Sequence, residues 1–191
     1  VRRPTPRRRR GARSFAEGLS HYRSGDYSQA IVFFRKMRSD GATRSIRRKA
    51  KRYLRWVKTF ERNFRRGQSS GNLSALKQAH QADRSMGGAH RRKVGKLLSK
   101  AYTSRGERYL KSKSFPAAGR DFKQAMRYDS SNAKARKLMG KLRAKAMALY
   151  KEATVLKDVD PNDASKIFRK VTQMLPSSDP LYKKARKHLN P

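Results

Sequence analysis

AYTSRGERYLKSKSFPAAGRDFKQAMRYDSSN, residues 101–132, contains a helix, a turn and a second helix. Gly106 and Tyr109 lie three apart, Phe115 follows at the turn, and Ala118, Phe122 and Ala125 recur at four and three. That spacing draws one apolar face on each of two α-helices. Gly106 and Ala118 are twelve apart, so they can face each other where the helices cross closely, with Tyr109, Phe115 and Phe122 filling the space beside them. Asp129 and Asn132 close the unit.

This set of residues resembles the signature of the tetratricopeptide repeat, a helical hairpin of about 34 residues that stacks into a right-handed superhelix. Ser130 stands where the family usually has proline. The resemblance implies an all-α, tetratricopeptide-like helical-hairpin solenoid with further hairpins on either side, since one hairpin cannot bury both its faces.

The same spacings recur outward. Gly18 to Ala30 is again twelve and Ala30 to Phe34 again four, with Gly25-Asp26-Tyr27 as the turn and Asp40-Gly41 as the stop. A long helix is expected over Thr43–Arg66, a Gly/Ser turn over Gly67–Asn72 and a short helix over Leu73–Asp83. Gly87-Gly88 breaks the chain before a helix over His90–Lys111. Downstream, Ala133–Leu156 places Leu138, Leu142, Leu149 and Ala153 inward. Asp160-Pro161 opens a helix carrying Ala164, Phe168 and Val171, and Asp179-Pro180 opens a last one over Leu181–Leu189. The expectation is about four hairpins plus a C-terminal capping helix over residues 14–191, preceded by a disordered basic arm over residues 1–13.

Charge is the outlier in composition. Against 51 Lys+Arg stand 13 Asp+Glu, a formal net charge of +38. Self-repulsion of that size destabilises a compact chain and points to a polyanionic partner: nucleic acid (DNA or RNA), another polyanion, or an acidic protein. The absence of cysteine removes disulfides and thiolate chemistry and fits a reducing compartment, so a cytoplasmic, nucleic-acid-associated protein is expected. No apolar run is long enough to span a bilayer.

The carboxylates are scattered, and His21, His80, His90 and His188 share no metal-ligand spacing. No glycine loop with its lysine and hydroxyl is present to cradle a phosphate. A non-enzymatic protein without cofactor or metal is therefore expected. Asp158, Asp160 and Asp163 read as helix-capping groups.

The binding candidates are cations in register. Arg44, Arg48, Lys51, Arg55, Lys58, Arg62 and Arg65 alternate four and three apart. They lie opposite the apolar line Ile46, Ala50, Tyr53, Val57, Phe60 and Phe64, and extend about 32 Å. No carboxylate is on the line. Lys134, Lys137, Lys141 and Lys145 form a second row, and Arg91, Arg92, Lys93 and Lys100 precede it. Arg7, Arg8, Arg9 and Arg10 form an electrostatic handle in the arm. These residues point to nucleic acid held through its phosphates with little sequence readout. The alternative is a protein-interaction scaffold. The family resemblance implies that Lys100, Lys111 and the Lys134–Lys145 row line a groove for an acidic peptide or partner, while Thr103 and Glu107 depart from the family's carboxylate-gripping pattern.

Overall fold

The computed structural model describes residues 8–39 and 43–189, with side chains from residue 15 onward. These residues form nine α-helices and no strand. They group into two compact units, Val1–Leu97 and Leu98–Pro191.

The first unit holds α1 (Arg8–Ser24), α2 (Tyr27–Ser39), α3 (Arg44–Ser70), α4 (Leu73–Ser85) and the opening turns of α5 (Arg91–Lys111), and α1 to α4 pack in sequential pairs. The backbone of residues 8–13 is already helical, so α1 starts inside the stretch expected to be a disordered arm; residues 1–7 and the Asp40-Gly41 stop lie outside the described residues. At the α1–α2 turn Gly25 adopts φ 91, and Asp26 accepts a hydrogen bond from the Gln29 amide. A Cβ on Gly18 would collide with the Phe34 ring, which is how the two helices come so close.

The Gly67–Asn72 turn is a correction. Helix α3 continues through Gly67 to Ser70 and stops at Gly71, whose left-handed φ of 64 ends it. Gly67 lies inside the helix, and the Leu76 side chain of α4 occupies the space a Cβ would need there. Its role is close packing, and the composition of the run had suggested a breaker. Asn72 then caps α4 by accepting from the Ala75 amide.

One buried polar cluster ties this unit together. Tyr22 Oη donates to Asp83 Oδ1 at 2.6 Å, and the His90 backbone amide donates to the same oxygen at 2.9 Å. The His90 ring returns to the Tyr22 carbonyl at 2.7 Å, a bond that needs the proton on Nε2. Asp83 is 1% exposed, and its Oδ2 has no hydrogen-bond partner among the described residues. Burial, reinforced by the Asp83 carboxylate, pushes the Tyr22 phenol above its ordinary 10.0. A raised folded-state value means the contribution is complete below pH 10 and declines above it, as the unfolded tyrosine ionises and the folded one does not. Tyr22→Phe is expected to lower stability by about 1–2 kcal/mol near neutral pH, because the Asp83 carboxylate loses a donor. The variant should also lose less stability than the parent between pH 10 and 11.5, measured by urea melts at each pH.

The second unit contains the rest of α5, α6 (Phe115–Tyr128), α7 (Ala133–Leu156), α8 (Pro161–Met174) and α9 (Pro180–Lys187). Sequential helices from α6 to α9 pack together, and α6 also touches α8. Its core joins Ala118, Phe122, Leu142, Phe168 and Val171 with Met174 and Leu181. Asp160 and Asp179 cap α8 and α9 through the Asp163 and Leu181 amides, as their sequence positions imply.

At Gly106 a Cβ would meet the Phe122 ring first and then Asp121. The same offset of sixteen residues joins Gly18 to Phe34, so the internal repeat is a glycine notch filled by a phenylalanine ring. Beside it, Arg105 grips Asp121 with two hydrogen bonds of 2.6 and 2.7 Å. Thr103 is buried in a network in which Asn132 donates to Ser99 and Thr103 hydroxyls, so it holds the start of α7.

Candidate functional site

α3 is the most sharply two-faced helix of the chain. Ala50, Val57 and Phe60 are fully buried, with Leu54 and Phe64 nearly so. Arg44, Arg48, Lys51, Arg55, Lys58, Arg62 and Arg65 are all exposed on the other side. The expected opposition of stripes is therefore present in three dimensions. One element of the expectation needs correcting: a carboxylate does reach the line. Glu61 binds Arg65 at 2.7 Å across one helical turn and neutralises the C-terminal end of the row. None of the other six makes an ion pair with a described carboxylate.

Beside α3, α2 adds cations that periodicity along a single helix did not reveal. Ile31, Arg35 and Arg38 recur at four and three on α2 and face Lys51, Leu54, Arg55, Lys58, Thr59, Glu61 and Arg62 across a shallow groove of about 620 Å³. The floor is aliphatic and the rims are cationic. Trp56 lies outside this groove, half-buried, with the Tyr53 ring edge-on at 5.2 Å and the Arg52 guanidinium 6.0 Å from its ring centroid.

Of the other candidates in the first unit, Arg91, Arg92 and Lys93 are exposed at the start of α5, and the Lys93 ammonium sits 5.3 Å over the Phe64 ring. The side chains of Arg7, Arg8, Arg9 and Arg10 lie outside those described. Lys100, Lys134, Lys137, Lys141 and Lys145 are exposed in the second unit, on α5 and α7. The lysine row there is not free of acid, since Lys134 binds Glu107 at 2.7 Å. Its hydrogen bond to Lys134, aided by the charges of Lys111 and Lys141, holds the Glu107 carboxyl below its ordinary range.

No family model, curated protein or solved structure matches the chain. The chemistry on offer must be read from these side chains. Among the described residues no three His, Cys, Asp or Glu groups come close enough to hold a metal ion. No described helix is long and apolar enough to cross a membrane. His90 and His188 stack on Phe60 and Phe168, so both rings pack within their units.

Proposed function

We propose that the chain is a non-enzymatic, tetratricopeptide-like helical-repeat module that binds nucleic acid through the phosphate backbone, with little readout of sequence. The observation that carries this reading is the α3 row: six exposed cations, Arg44 to Arg62, in one line and none ion-paired with a described carboxylate. A solvated helix face needs polar groups but gains nothing from like charges at three and four, which cost about 0.2–0.5 kcal/mol per pair. A polyanion lying along the row removes that repulsion and releases its own counterions. Arginine predominates in the row, and its planar fork suits phosphate oxygens.

If six to eight phosphates are neutralised, the log–log dependence of affinity on salt should have a slope of roughly −5 to −7 on duplex DNA. A titration series across salt concentrations measures it, and a slope near zero would remove the reading.

A second reading has its own observation. Lys111, Lys134 and Lys141 crowd the single carboxylate of Glu107 in the second unit, a field that suits an acidic peptide. In that case an Asp/Glu-rich peptide should bind one to one and stay bound under excess duplex, and Lys137→Glu with Lys141→Glu should weaken it about tenfold or more.

A further inference from the structure

The groove between α2 and α3 has two walls, and its chemistry bears on which form of nucleic acid it takes. One wall is Lys51, Arg55, Lys58 and Arg62 over about 16 Å of α3. The other is Arg35 and Arg38 of α2, both exposed. Packed helix axes lie about 8–10 Å apart, so cations on the two rims converge on a channel one sugar-phosphate ridge wide. The only carboxylate among the described lining residues, Glu61, is committed to Arg65.

What the lining lacks is as telling. Among the described residues it contains no aromatic ring and no side-chain amide. Proteins that hold single strands stack bases on aromatic faces, and those that read bases use amides or paired donors at base edges. Of the aromatic rings of this unit, Tyr22, Phe34 and Phe60 are fully buried, and the half-buried Phe15, Tyr27, Phe33, Tyr53 and Trp56 lie outside the groove lining. A single strand laid in the groove would leave its bases over aliphatic Ile31 and Leu54, with no aromatic face among the described lining residues to stack on. A duplex keeps its bases paired and stacked and offers only phosphate ridges.

We infer that the α2–α3 groove receives one backbone strand of a duplex, with Arg35 and Arg38 gripping it from the side opposite Lys51, Arg55, Lys58 and Arg62. This rests on the nucleic-acid reading above, and adds to it the strand state of the ligand and a second row of contacts. Because those contacts reach phosphates alone, duplexes of unrelated sequence bind alike.

Fluorescence anisotropy with a labelled duplex of about 20 base pairs, two helical turns, and with one of its strands alone tests the idea on the full chain. The duplex is expected to bind about tenfold or more tightly than the strand. Arg35→Ala with Arg38→Ala should flatten the duplex salt slope by about two, since each lost phosphate contact removes roughly 0.9. A control pair, Lys184→Ala with Lys187→Ala on α9, should leave that slope within one unit of the parent. Equal or tighter binding of the single strand overturns the inference, as does an unchanged slope in the α2 variant with helicity retained by circular dichroism. If neither form binds, the nucleic-acid reading itself fails, an outcome distinct from a preference for the single strand.

Discussion

Gly119→Ala is expected to destabilise the chain more than an added methyl group at Gly18, Gly67 or Gly106. At this position α6 meets the end of α8 backbone to backbone, and a Cβ would overlap the carbonyl of Met174. At Gly18, Gly67 and Gly106 the first atoms met belong to Phe or Leu side chains, which can turn aside. A carbonyl at the end of a packed helix cannot. Lys123 fixes that end further, its ammonium donating to the carbonyls of Gln173 and Leu175 at 3.3 Å. Overpacking of a core costs about 1–3 kcal/mol when side chains absorb it, so a backbone collision belongs at or above about 3 kcal/mol. For a unit of this size that is a fall in Tm of roughly 12 °C or more. Gly140→Ala supplies the opposite sign on the same unit. Gly140 is exposed within α7 and a Cβ there meets nothing, so alanine should gain about 0.5–1 kcal/mol from helix propensity. Thermal melts of the two variants, monitored at 222 nm, should move in opposite directions; a Gly119→Ala melt within 2 °C of the parent would show that α6 and α8 can slide apart.

The largest expected effect on binding comes from Arg48→Glu, Arg55→Glu and Arg62→Glu made together. Three cations of one line become three anions, so each site loses an attraction and gains a repulsion. Affinity for duplex should fall by more than about 100-fold at 0.1 M salt, because three lost contacts alone reduce the slope by nearly three. The fold should tolerate the change. These side chains are exposed and lie on the face opposite Val57 and Phe60. Alternating charges along the helix would even relieve the i,i+4 repulsion of the parent. Retained affinity with unchanged helicity would move the binding site to another face.

Much of the secondary structure was legible because apolar residues at four and three mark a helix face wherever they recur. The helix expected from Ala133 to about Leu156 spans Ala133–Leu156, and the caps at Asp160 and Asp179 follow from Asp-Pro at a helix start. Gly67 departs from its expected place in a turn because its role is set by a neighbouring helix, whose Leu76 side chain fills the space beside it. The α3 stripe was visible for the same reason as the helices. Its partner row was not, because a groove between two helices is a relation across the hairpin. The signal for it was in the chain all the same: Ile31, Arg35 and Arg38 carry the four-and-three spacing on α2. Nothing local marks Asp83 as buried, since only the fold brings Tyr22 and His90 to it.

The surroundings of Trp56 also make the molecule easy to interrogate. It is the chain's one tryptophan, and it sits on α3 beside Tyr53 and Arg52, within the first unit. Intrinsic emission excited at 295 nm therefore reports on that unit alone, while ellipticity sums over both. Comparing the two optical signals through one denaturant titration assigns each transition to its half of the chain without any label, and shows directly whether the halves melt as one cooperative system or as two.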